Sequence, residues 1–185
     1  MFYTFTALTR LPFLWETWAG RIEVRGKRLE DDELNMYDYG YVFINEMITI
    51  PYVMTLTWAL RDADWMLWDA SEIGFANTLL VVPLCLGAYD LVYVPFHRTL
   101  HVPAIYPYIH KHHHRQAVPF RGTFDGINTH PIEFTFGEFL HLGALLMVKS
   151  ALGLVGLKVH WYGAAAFFII AGFMASLNHT RFAVR

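Results

Sequence analysis

Apolar positions fall into four long runs, and polar positions collect between them. The first run, Tyr41 to Leu60, is mainly apolar for 20 residues. At about 1.5 Å per residue in a helix that length crosses a bilayer core of about 30 Å. Asn45 and Glu46 interrupt it. The second run, Phe75 to Phe96, is broken only by Asp90. Two more follow over 137–157 and 159–177, the third carrying His141 and Lys149, with glycines around 153–163 that read as a tight hairpin. An acidic link from Arg61 to Gly74 joins the first pair, and a polar stretch over 97–135, punctuated by Pro103, Pro107, Pro119 and Pro131, joins the pairs. Residues 1–40 mix a basic patch (21–28) with the acidic Glu30 to Glu33. This pattern predicts an all-α integral membrane protein with about four transmembrane helices in two hairpins and a histidine-rich cap. It divides the chain into a lead-in, 1–40, and a membrane domain, 41–185.

Composition supports that reading. Charged residues make up 16% of the chain, below the roughly 25% of soluble domains. The net charge of −2 gives no electrostatic reason to expect nucleic acid. Cys85 is the single cysteine, which excludes an intrachain disulfide and a cysteine-based zinc module. Residues 1–20 lack a signal-peptide pattern, so internal spans are expected to direct the chain to the membrane. With four spans, segments 1–40, 97–135 and 178–185 share one side and hold eleven Lys and Arg against two, Arg61 and Lys158, on the other. The positive-inside rule then places the histidine stretch on the cytoplasmic face.

The chemistry concentrates in HRTLHVPAIYPYIHKHHHR, which holds six of the ten histidines. His97 and His101, four residues apart, share a helix face at the cytoplasmic end of the second span. In the second cluster a helical arrangement puts His110, His113 and His114 within about 100° of arc and turns His112 away. His179 returns to the same level directly after the fourth run. Imidazole suits iron, zinc, copper and nickel, and spacing does not choose among them. His141 and His160 read as ordinary core or surface histidines. Metal-bound imidazoles need their other nitrogen held, for which Asp125, Glu133 and Glu138 are the candidates. Asp90, costly inside a span unless it is paired, is expected to pair with Asn45 or another polar neighbour.

HRTLH, HKHHH, THPIEF (129–134) and NHTRF (178–182), in that order, resemble the signatures of the fatty acid hydroxylase and sterol desaturase superfamily over residues 75–185. The resemblance implies a membrane-bound di-iron enzyme that hydroxylates or desaturates a fatty acid, sterol or carotenoid with O₂ and electrons from a haem or flavin partner. It implies His97 and His101 as a first ligand box, His110, His113 and His114 as a second, and His179 as the single histidine after the last span. His130 belongs to the family pattern and is expected to play a structural role near Glu133. It also implies the endoplasmic reticulum if the source is eukaryotic, and zinc as a substitute metal in purified material.

One departure stands out. The family's last His-x-x-His-His box is absent, so truncation or divergence is expected, with one metal bound firmly or two weakly. A catalytically inactive member serving as a membrane partner subunit is the alternative; a metal transporter fits less well, because the histidines gather outside the spans. On the helical arrangement, His113→Ala abolishes metal binding and His112→Ala leaves it nearly intact, which metal analysis of the two variants checks.

Overall fold

The computed structural model describes residues 34–115 and 122–179; most of the predicted lead-in, 1–33, lies outside the described residues. Helix α1 runs Met36–Arg61. Its start is fixed by Asn35, whose side chain accepts from the backbone N–H groups of Tyr37 and Asp38, while Asp38 accepts in return from the N–H of Asn35 at 2.6 Å. This reciprocal cap satisfies donors that a helix start leaves unpaired. A π-helical turn, Phe75–Leu79, leads into α2, Val81–Leu100. A short α3, Thr123–Ile127, precedes α4, Pro131–Gly153, and α5, Trp161–Asn178.

Local chemistry sets the helix boundaries. Helix α4 starts six residues before the predicted 137 because Pro131 sits in its first turn and the His130 side chain accepts from the N–H of Ile132. The His160 side chain caps α5 in the same way through Tyr162. Between α4 and α5 the chain turns at Gly156, whose φ of +74° suits a residue without Cβ. Two short strands, β1 (Met66–Leu67) and β2 (Val159–His160), pair in parallel and tie the two hairpin loops together at one end of the bundle.

Among the described residues three helical segments are long and apolar enough to cross a membrane: Phe75–Leu100, Pro131–Gly153 and Trp161–Asn178. Helix α1 is long enough but is not among them; Asn45, Glu46, Pro51 and the threonines at 49, 55 and 57 dilute its apolar content. Large apolar side chains such as Phe43, Met54, Leu91, Val94, Leu146 and Ile169 are exposed on the bundle's flanks, an arrangement suited to lipid.

The core lies between α2, α4 and α5, where Val81, Cys85, Ala144, Leu145, Val148, Ala164, Phe167 and Ala171 are buried together. Small residues at such an interface allow backbones to approach, which matters where lipid competes equally for apolar side chains. Gly163 is the tightest case, since a Cβ there would sit 2.5 Å from the carbonyl oxygen of Thr78.

The expected pairing of Asp90 with Asn45 is not what the structure shows. Asp90 is exposed on α2, while the Asn45 amide donates to the carbonyls of Ile127 and Thr129, both at 2.8 Å. Those carbonyls belong to the segment just before α4, left unpaired by the helix ladder, and they outcompete a side chain on another face.

Gly163→Ala forces α5 away from the π-helical turn and is expected to destabilise the bundle by about 1–3 kcal/mol. Gly143→Ala, with nothing within 4 Å of its Cβ position, serves as the control. Thermal unfolding in detergent checks the pair, with a lowered midpoint expected only for the first.

Candidate metal centre

Helix α2 places Tyr89, Tyr93, His97 and His101 at intervals of four residues, so they form one stripe. Beyond Leu100, Pro103 and Pro107 prevent a continuous helix. The chain instead makes irregular helical turns, with His110 N–H to the carbonyl of Tyr106 at 3.1 Å, and closes in a 3₁₀ turn over His113–Arg115. The second histidine cluster therefore sits on tight turns and not on the regular helix that its spacing suggested. The turns still bring it back beneath α2.

The Nε2 atoms of His97 and His101 lie 3.2 Å apart, and those of His110 and His114 lie 2.9 Å apart. One nitrogen from each of the four lies within 4.8 Å of the others. His113 faces a different partner, the Nε2 of His179 at 3.4 Å. Its ring centroid is 5.6 Å from that of His110 and 5.5 Å from that of His114, so the pair adjoins the group of four. All six histidines singled out from the sequence thus converge, divided as four and two. His179 is admitted by Gly126, where a Cβ would meet its ring at 3.2 Å.

Hydrogen bonds orient the rings so that free nitrogens point inward. His110 Nδ1 lies 2.9 Å from Glu133 Oε1, and His97 Nδ1 lies 3.2 Å from the Tyr93 hydroxyl. His179 donates from Nδ1 to the carbonyl of Ala175 at 2.8 Å, which leaves its Nε2 as an acceptor facing His113. A bond from one ring nitrogen fixes which tautomer the other presents. Of the three candidate acids, Glu133 holds a ring. Glu138 lies five residues farther along α4, and Asp125 is buried on α3. Tyr93 was not anticipated, although its place four residues before His97 is the signal that would have found it.

Burial and the neighbouring rings oppose protonation. Burial first, then His97, His114 and His101, push His110 down to about 4. Burial, with His179 and His110 next, pushes His113 down to about 3. His114 is lowered by burial and by His101. Neutral imidazoles at neutral pH are the form that binds metal. Metal–nitrogen bonds of about 2.0–2.1 Å separate neighbouring ligands by about 3 Å, so each facing pair, at 3.2 Å and 2.9 Å, has the spacing of adjacent ligands on one transition-metal ion. Among the described residues the buried His113 Nδ1 has no hydrogen-bond partner, the kind of open valence that a bound group or water would satisfy.

The remaining histidines stand apart. His112 contacts Asn128 and Asp38. His130 caps α4 and its ring lies 5.7 Å from that of Tyr41, a structural placement. His141 stacks on Tyr89 at 4.1 Å, and His160 bonds the carbonyl of Asp69 at the opposite end of the bundle.

The fold and the site together define a mainly helical membrane protein whose clustered histidines are placed to hold a metal ion. The chain is similar to the protein described as fatty acid hydroxylase ahd1 of Mycosarcoma maydis, 35% identical over 113 residues, which cover 61% of this chain. The match spans 28% of that relative's length. No family model and no solved structure matches the chain. A curated relative that is a fatty acid hydroxylase, and a histidine cluster drawn from HRTLH and HKHHH, agree with the resemblance to the fatty acid hydroxylase and sterol desaturase superfamily.

Two expectations follow from the geometry. Glu133→Gln removes the carboxyl partner of His110 and is expected to weaken metal binding about 10–100-fold, measured by competition with a chelator. For the metal-free protein, His110 and His113 titrate lower folded than unfolded. Their contribution to stability is then present above about 6.5 and is lost as pH falls through about 4 and 3. As pH falls across that window, the thermal midpoint of the wild type in detergent should drop relative to that of His113→Asn.

Proposed function

We propose that this chain is the metal-bearing part of a membrane lipid hydroxylase or desaturase. The observation that carries the reading is the convergence of His97, His101, His110 and His114 on one point, with His113 and His179 beside them, at one end of an apolar helical bundle. The group of four would hold one iron ion and the adjoining pair would contribute two ligands to a second; zinc would occupy the same donors in purified material. Iron bound there supplies the activation of O₂ needed to attack an unactivated C–H bond.

This chain's own residues supply orientation and shelter. Glu133 and Tyr93 hold the outward nitrogens of His110 and His97, so that the inward ones stay available to metal. The apolar flanks of α2 and α4 admit a fatty acid, sterol or carotenoid sideways from the bilayer, leaving the reacting carbon near the histidines. Electrons would come from a haem or flavin partner on the same face; the excess of Lys and Arg in the flanking segments favours a cytoplasmic orientation, at the endoplasmic reticulum in a eukaryote. A fourth membrane crossing by α1 completes the two hairpins.

A second reading has its own support: the adjoining pair offers two imidazoles among the described residues, fewer than a firmly held ion needs. On it the chain is an inactive family member or fragment that serves as a membrane partner subunit. Metal analysis of protein purified with iron separates the readings. About two irons per chain, lost in His110→Ala, supports the oxygenase; none supports the subunit; readily exchanged zinc supports transport. Hydroxylated or unsaturated lipid should accumulate in cells expressing the wild type and not His110→Ala.

A further inference from the structure

We propose that His112, the cluster histidine that faces away from the metal group, is a positioning residue that pins the ligand-bearing turn to the start of α1 through Asp38. The inference rests on the metal reading above and concerns how the turn is held.

The side chain of Asp38 is fully buried, and each of its oxygens is engaged. Oδ1 accepts from the amide of Asn128 at 2.8 Å and faces His112 Nε2 at 3.1 Å. Oδ2 accepts from the Asn35 N–H at 2.6 Å and from the Arg115 guanidinium. His112 Nε2 also lies 2.9 Å from Asn128 Oδ1, so a hydrogen on Nε2 serves both oxygens and closes a ring of three side chains. The edge of Tyr41 packs on His112 with centroids 4.6 Å apart. His112 and Arg115 flank His113 and His114, so one carboxylate grips the turn on both sides of two inward-facing rings.

The turn needs such a grip. Pro103 and Pro107 break the helix before it, and the bond from Arg115 N–H to the carbonyl of His112 closes the 3₁₀ turn with one contact. Metal–ligand distances tolerate only about 0.2 Å, and a backbone this loosely laddered does not set ring positions that finely. Side chains locked by packing and hydrogen bonds do. Burying a carboxylate is costly unless its bonds are all made, and here the bonds run to the ligand turn and to the segments that flank it. Asn128 adds the end of α3, where Gly126 leaves the space that the His179 ring occupies, so the same ring of contacts relates both halves of the histidine set.

This changes the expectation for His112→Ala from silent to damaging. Cobalt(II) titration of the full detergent-solubilised chain tests it, reading the visible bands of the bound ion and the affinity against a chelator. Wild type should bind, His112→Ala should bind about 10–100-fold more weakly with altered bands, and His112→Gln, whose amide nitrogen reaches a similar position, should recover both. The unfolding midpoint of each metal-free variant is measured alongside. If His112→Ala does not fold, Asn128→Ala, which removes one member of the ring and leaves Arg115 on Asp38, should show the same band change at smaller loss. Affinity and bands unchanged in His112→Ala would overturn the proposal alone. So would losses that merely track the fall in midpoint without rescue by glutamine. Wild-type protein that takes up no cobalt would overturn the metal reading and this proposal with it.

Discussion

Imidazole nitrogens facing one another at 2.9–3.4 Å are the constraint around which this chain is arranged. Such rings repel if protonated and gain little from each other if neutral, so something must hold them together without a bound ion. Burial, which keeps His110 and His113 neutral, removes the repulsion. Bonds on the far side of the rings, from Glu133, Tyr93 and the carbonyl of Ala175, supply the orientation. The site is prearranged by groups that do not themselves face its centre.

The bundle makes that arrangement affordable. Small buried residues along α4 and α5 let these helices pack against α2, and the paired strands at the opposite end tie the two hairpin loops. Lipid solvates the exposed apolar flanks, so cohesion between helices comes from close packing and a few interhelical bonds. Asn45, donating to two carbonyls ahead of α4, joins α1 to the level of the histidines.

The helical class and the six clustering histidines were legible in the sequence, because each rests on local periodicity. Apolar runs of about 20 residues imply spans, and a spacing of four puts His97 and His101 on one face. The backbone between 101 and 115 was less legible. Periodicity reads 110–114 as helix, but prolines at 103 and 107 leave only short turns, and the facing survives because those turns keep approximately helical pitch. The partner of Asn45 was missed, since backbone carbonyls freed by a turn carry no side-chain signature.

What the amino-acid order determined by itself is therefore the three most apolar helices, the placement of histidines near their ends, and the turning of His112 away from its neighbours. The tertiary structure alone decided that the six rings divide into four and two, that Glu133 and not Glu138 or Asp125 holds a ring, and that Asp38, more than seventy positions before His112, grips the turn between them. The physical reason is range. Helical facing follows from neighbours three or four residues apart, whereas the choice of partner for a buried charge depends on which distant segments packing brings within about 3 Å.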